Sequence, residues 1–84
     1  SNQVIRAYYE LLNFGIKQGK PRLPKSTPIE YQPELMDLIE DDRVNQFTSQ
    51  FNNTYYGLIA PEVEVANEME ESVQLILRRI THKD

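Results

Sequence analysis

The sequence predicts an all-α fold, a compact bundle of four helices. In four separate segments the apolar residues recur at steps of three, four and seven, which is the spacing of one face of a helix. Short stretches with proline, glycine or acidic residues separate these segments, and no stretch alternates apolar and polar residues as a half-buried strand does. With 84 residues, the chain is expected to form one helical domain over residues 3–84.

The first helix is expected over residues 3–18. Gly19 suits a left-handed C-terminal cap, and Pro21 prevents the helix from continuing. Gly15 lies inside the helix, where a glycine costs about 1 kcal/mol relative to alanine. The predicted apolar face consists of Val4, Ile5, Tyr8, Leu11, Leu12 and Ile16.

The second helix is expected over residues 28–39. Thr27 and Glu30 form the pattern of a capping box, and Pro28 occupies the first helical position, where no backbone donor is needed. Pro33 perturbs or splits this helix, so either one helix has a perturbed start or a short turn precedes a helix that begins at Pro33. The predicted buried side consists of Leu35, Leu38 and Ile39.

The third helix is expected to follow the acidic run at 40–42 and to extend to about Tyr56. Asp41 or Asp42 is expected to cap its N-terminus, and Gly57 to end it. Its predicted core stripe consists of Val44, Phe47, Phe51 and Tyr55.

The fourth helix is expected to have Pro61 in its first turn. Glutamates dominate its beginning, and Arg78, Arg79 and Lys83 lie near its end, an arrangement that complements the helix dipole. Its predicted apolar side consists of Val65, Ala66, Met69, Val73, Ile76, Leu77 and Ile80.

Composition narrows the function classes. The net charge of −4 does not favour nucleic-acid binding, which normally uses a basic face. The chain has no cysteine, so neither disulfides nor thiolate metal sites are expected. No apolar run approaches the roughly 20 residues that a membrane-spanning helix needs. Ser1 and Asn2 are interpreted as a remnant of tag removal, so we expect the domain to come from a larger protein.

The residues predict no catalytic, cofactor-binding or metal site. His82 is the single histidine and lies three residues from the end of the sequence, and without cysteine no Cys-His-Asp triad can form. Glu64, Glu68 and Glu71 are spaced along one helix face opposite the apolar stripe, which is typical of a solvated surface. The domain is therefore expected not to be an enzyme.

The segment between the first two helices is unusually basic. Lys17, Lys20, Arg22 and Lys25 place four of the nine basic residues within nine positions of an acidic chain. Such a loop can contact anionic lipid headgroups at about 1 kcal/mol per basic residue, or it can be an ordinary solvated loop. The Pro-x-x-Pro pattern at 21–24 fits a stiff linker, with recognition as polyproline II as the alternative.

The tyrosines are expected to pack with their hydroxyl groups at the edge of the core, with Tyr31 as one such anchor, and not to stack on nucleic-acid bases.

Several motifs follow one another in a familiar order. These are Ile5-Arg6-Ala7-Tyr8, the segment from Gly19 to Lys25, Thr27-Pro28-Ile29-Glu30-Tyr31, and Tyr56-Gly57. From Val4 to Ile80 the chain resembles the C-terminal helical domain, a domain of unknown function, of bacterial transglutaminase-like membrane proteins. It departs from that pattern at Pro33 and Tyr55.

The resemblance implies a setting in which the catalytic residues lie elsewhere. A larger protein of this kind has several membrane-spanning helices and an upstream domain with a Cys-His-Asp triad. Its helical tail is then expected on the cytoplasmic face of the membrane. We expect a non-catalytic accessory domain that binds other domains of the larger protein or another protein. The alternative is a module that contacts anionic lipid through Lys17, Lys20, Arg22 and Lys25.

Overall fold

The computed structural model describes residues 2–82, and these residues confirm the all-α fold. The four helices are α1 (Asn2–Lys17), α2 (Pro28–Ile39), α3 (Arg43–Tyr55) and α4 (Val63–Thr81). No strand occurs within residues 2–82. The interpretation of Ser1 as part of a tag remnant, and the dipole role of Lys83, lie outside the described residues.

A single core joins all four helices. α1 packs most extensively against α4, and α3 packs against both α1 and α2. The predicted apolar faces supply most of the core, and α1 adds Ala7 and Phe14, which the predicted face omitted. Ile16 and Tyr55 were predicted to face the core but are exposed, because in the last turn of each helix the buried face passes through Phe14 and Thr54 instead. The hydrophobic core residues with no exposed area are Val4, Tyr8, Leu11, Leu35, Val44 and Val73.

α2 begins with the predicted capping box and continues through Pro33. Thr27 Oγ1 accepts a hydrogen bond from the Glu30 backbone N–H at 3.1 Å, and the Glu30 carboxylate accepts from the Thr27 N–H at 2.8 Å. α2 runs without a break from Pro28 to Ile39, with Pro33 in its second turn, so the helix is not split at Pro33. Pro33 and Ile29 are both exposed, so the backbone hydrogen bond that proline cannot make falls on the side facing water.

Thr27→Ala is expected to lower the free energy of unfolding by about 1 kcal/mol, because it removes the side-chain acceptor at the N-cap. Urea denaturation measures this change. Ser26→Ala is the matched control, since the Ser26 hydroxyl makes only a long 3.4 Å bond to the Thr27 carbonyl. Equal stability of Thr27→Ala and the wild type would contradict the cap assignment.

The turn between α2 and α3 is held by Asp41. Asp42 precedes α3 but makes no side-chain capping bond, whereas Asp41 Oδ1 accepts from the Arg43 backbone N–H at 2.9 Å. The Arg43 guanidinium also donates to Asp41, at 3.0 and 2.9 Å. These hydrogen bonds lower the pKa of Asp41 to about 2. Arg79 of α4 lies 3.7 Å from the same carboxylate and links the last helix to this turn.

The connection between α3 and α4 differs from the predicted one. Leu58 takes the left-handed conformation, with φ of 54°, and Gly57 does not. Gly57 is needed for space instead, because a Cβ there would lie 2.9 Å from the Asn53 carbonyl oxygen. Glu62 is extended, with ψ of 146°, so α4 begins at Val63 and Pro61 precedes its first turn.

Candidate functional site

A groove lies between α3 and α4, which make the fewest contacts of any two helices in the fold. Its volume is about 430 Å³. Phe47 from α3 and Met69 from α4 form an apolar floor, and both side chains belong to the buried core. Val65, one turn before Met69, extends this floor and is half-buried. Phe47 and Met69 are each only 3% exposed, so Val65 is the apolar side chain of the floor that a partner can reach.

The α3 wall of the groove is polar but carries little charge. It is formed by Asn45, Gln46, Ser49 and Gln50. Amide side chains both donate and accept hydrogen bonds, so this wall can satisfy polar groups of either kind. The one cation of the lining, Arg43, is already paired with Asp41.

The α4 wall is acidic and leads into a second depression. Glu68 and Ser72 line both cavities, so the two form one continuous surface. The second depression adds Glu64 and Glu71, and ends at Leu75, which is 60% exposed. The glutamates were predicted to form a solvated face, and they are exposed, but the same face also borders the groove.

The four predicted basic contacts occupy different environments. Lys17, Lys20 and Lys25 are exposed. Arg22 is half-buried, and its guanidinium donates to the Ser26 carbonyl. The lysines are therefore accessible to a partner, while Arg22 has a structural role inside the loop.

Apolar side chains accompany these lysines at the surface. Ile16 and Leu23 are 57% and 68% exposed. Both lie within the stretch of chain that carries Lys17, Lys20 and Lys25. The basic segment thus combines positive charge with accessible apolar area.

An aromatic cluster extends from the core to the surface around Phe51. The Phe51 ring stacks on Tyr8 with a centroid distance of 4.3 Å, and on Tyr55 at 5.2 Å. Tyr9 and Tyr56 contact the same ring at 5.9 and 6.3 Å. Tyr8 and Tyr31 pack in the core as predicted, although the Tyr8 hydroxyl is buried and does not lie at the core edge. The other three tyrosines, Tyr9, Tyr55 and Tyr56, are exposed, so the cluster is a core feature that reaches the surface.

Tyr8 is buried with its hydroxyl group unpaired. No protein group in the described residues completes a hydrogen bond to Tyr8 Oη. Thr48 lies nearby and its hydroxyl donates to the Val44 carbonyl at 2.9 Å, but the geometry between this hydroxyl and Tyr8 Oη is not that of a hydrogen bond. Burial raises the pKa of Tyr8 to about 12, and neighbouring Arg22 opposes this shift.

Tyr8→Phe is expected to raise the free energy of unfolding by about 1 kcal/mol at neutral pH, because it removes an unsatisfied buried hydroxyl. The pKa of Tyr8 is higher in the folded chain than in the unfolded one. The wild type should therefore lose stability as the pH rises through the range from about 10 to 12. Tyr8→Phe should reduce this loss.

Urea denaturation at pH 7 and across the alkaline range measures both effects, with exposed Tyr9→Phe as the matched control. Destabilisation by Tyr8→Phe at pH 7 would show that the hydroxyl does have a partner.

The described residues show where the remaining chemistry-bearing groups lie. His82 is exposed just after the last turn of α4. Within residues 2–82, no three acidic or histidine side chains converge as a metal ion would require. None of the helices in this range is both long and apolar enough to cross a bilayer.

Comparison with known proteins adds no relative. No family model matches the sequence, and neither a curated protein nor a solved structure is significantly similar to it.

The groove itself was not predicted from the sequence. Residue spacing assigns Phe47 and Met69 to the core but does not show that α3 and α4 leave a groove between them. The sequence does contain one sign of the charge of this region. Between Val44 and Leu77, over most of α3 and α4, the chain has no lysine or arginine.

Proposed function

We propose that this domain is a non-catalytic protein-interaction domain that binds a helical segment in the groove between α3 and α4. The observation that carries this proposal is an apolar floor between two polar walls, in which Val65 is accessible while Phe47 and Met69 are buried. A groove between two helices accepts the apolar face of an amphipathic helix, and its walls fix the orientation of that helix.

The motif order that resembles transglutaminase-like membrane proteins supports an accessory role within such a protein. In that setting the bound helix belongs to another domain of the larger protein or to a protein assembled with it. The domain is then placed on the cytoplasmic face of the membrane, and catalysis is performed by residues outside residues 3–84.

Site-specific photo-crosslinking in the full-length protein tests the groove. A photoreactive amino acid at Ser49, which is exposed in the groove wall, should crosslink to one defined segment, identified by mass spectrometry. The same group at Asn13, exposed on α1, is the matched control. Crosslinks from Ser49 no more frequent than those from Asn13 would reject the groove as the binding site.

The basic segment supports a second candidate function, binding to an anionic membrane surface. Lys17, Lys20 and Lys25 are exposed beside Ile16 and Leu23, which are also exposed. Apolar insertion and attraction to anionic lipid reinforce one another at a membrane interface. The half-burial of Arg22 leaves three lysines, and not all four basic residues, for this contact.

Co-sedimentation with vesicles that contain phosphatidylserine tests this candidate. We expect binding at low salt that weakens at high salt and in the triple variant Lys17→Gln/Lys20→Gln/Lys25→Gln. Leu23→Ser should also weaken it, because it removes an exposed apolar side chain. No binding at low salt would exclude the membrane function and leave the groove proposal intact.

A further inference from the structure

We infer that the α3–α4 groove selects a basic amphipathic helix, one with lysine or arginine along the edge of its apolar face. This inference rests on the proposed function and adds the chemistry of the partner. Three observations carry it: the unpaired charge of the groove, the length of the surface and the spacing of its glutamates.

The charge of the groove surface is one-sided. Its single cation, Arg43, is held by Asp41 at 2.9 Å, whereas Glu64, Glu68 and Glu71 form no ion pair with the lysines and arginines of residues 2–82. These three carboxylates are exposed on the α4 wall. A partner helix of the same sign would be repelled by this wall, and a basic one would be attracted.

The surface is long enough to guide a helix. From Glu64 to Leu75 the two depressions follow α4 over 12 residues, and the 11 steps between the first and the last correspond to roughly 16 Å at the rise of an α-helix. An occupant lying along this path would contact the surface over about three turns. Exposed Leu75 at the end of the path provides a further apolar contact.

The spacing of the glutamates matches that of residues on one edge of a second helix. Glu64, Glu68 and Glu71 follow one another at steps of four and three. Basic residues at the same steps on an aligned helix would face all three carboxylates, while the apolar face next to them contacts Val65, the accessible side chain of the groove floor. Charge and apolar contact therefore select the same ligand.

Titration of the isotopically labelled chain with synthetic peptides tests the inference. The probe is an 18-residue amphipathic helix of leucine and lysine. The comparison peptides replace lysine with glutamate or with glutamine, or keep the lysine and leucine content in a scrambled order without an apolar face. Amide chemical shifts locate the binding site, and calorimetry gives the affinity at low and at high salt.

Two variants of equal net charge separate local attraction from the charge of the whole protein. Glu64→Gln/Glu68→Gln/Glu71→Gln removes three charges at the groove. Glu10→Gln/Glu34→Gln/Asp37→Asn removes three exposed charges elsewhere, on α1 and α2. We expect the groove variant to bind the lysine peptide roughly tenfold more weakly than the wild type. The control variant should stay within about twofold of the wild type, because its charges lie away from the groove.

Each outcome supports or overturns a stated claim. Shifts at Ser49 and Val65 with the lysine peptide, lost selectively in the groove variant, support the inference. Equal binding of the lysine, glutamine and glutamate peptides in the groove overturns the basic preference but keeps the groove as a helix-binding site. Equal weakening by both variants overturns the inference in favour of unspecific attraction. No groove shifts with any amphipathic peptide overturn both the inference and the proposed function.

Discussion

Phe51→Ala is expected to lower the free energy of unfolding by about 3–5 kcal/mol, the range for truncation of a buried aromatic side chain. Phe51 is 2% exposed and contacts four tyrosine rings. It joins α1 to the end of α3, so its loss leaves a cavity and removes two stacked ring contacts. A loss of this size is comparable to the whole stability of a small domain.

Urea denaturation followed by circular dichroism measures this loss. Phe51→Leu keeps most of the volume and remains measurable if the alanine variant does not fold, and it should cost less. Tyr55→Ala is the control at the surface end of the cluster, where the ring is 46% exposed, and should cost about 1 kcal/mol. A cost below about 1 kcal/mol for Phe51→Ala would contradict the central place of this ring.

Gly15→Ala is expected to destabilise the fold by about 1–3 kcal/mol, although alanine is the better helix former. A Cβ at position 15 would lie 2.1 Å from Tyr31 Oη and 3.2 Å from the Lys20 carbonyl oxygen. The Tyr31 hydroxyl donates to that carbonyl, and its ring is buried. Burial also raises the pKa of Tyr31. Glycine therefore makes room for the contact that ties α2 to the end of α1.

A double-mutant cycle isolates this close approach. Tyr31→Phe alone should cost about 1 kcal/mol, because a hydrogen bond to the Lys20 carbonyl is lost. In the Gly15→Ala background the same change should be stabilising, because the overlapping hydroxyl is gone and the ring carbon Cζ is at an ordinary 3.4 Å. Thermal and urea unfolding of the four proteins provide the comparison. Equal effects of Tyr31→Phe in both backgrounds would show that residue 15 and the hydroxyl do not interact.

Gly15 also illustrates which parts of the fold the sequence can predict. Sequence patterns predicted a structural feature correctly where that feature depends only on residues close to one another in the chain. The capping box of Thr27 and Glu30 uses neighbouring backbone groups, and Gly19 takes a left-handed conformation at the end of α1, as predicted. The role of Gly15 depends on Tyr31, which comes from another helix, so the sequence showed only a helix-weakening residue.

Two features that the sequence left open, the cap of α3 and the continuity of α2, depend on side-chain geometry. Two adjacent aspartates, Asp41 and Asp42, are equally suitable N-terminal caps by residue type, so the sequence could not distinguish them. In the structure Asp41 takes this role, because its carboxylate accepts hydrogen bonds from Arg43. Pro33 was compatible with a split helix, and its position on the exposed side of α2 allows the helix to continue.

The candidate site depends on the relative placement of helices, which periodicity does not contain. The apolar spacing correctly placed Phe47 and Met69 on core-facing sides. Only the three-dimensional arrangement shows that α3 and α4 separate enough to leave an open groove above them. The basic segment was visible in the sequence because its four cations are close in the chain, but the half-burial of Arg22 was not.

The most direct measurement of the central claim uses the larger protein to which the proposed accessory role assigns this domain. It compares a form without residues 3–84, a form with Ser49→Trp to fill the groove, and a control form with Asn13→Trp on exposed α1. Assembly state is measured for each form, together with the activity that the proposed accessory role assigns to the rest of that protein. We predict that Ser49→Trp reproduces the defect of the deletion and that Asn13→Trp does not. Wild-type behaviour of both the deletion and Ser49→Trp would contradict the account.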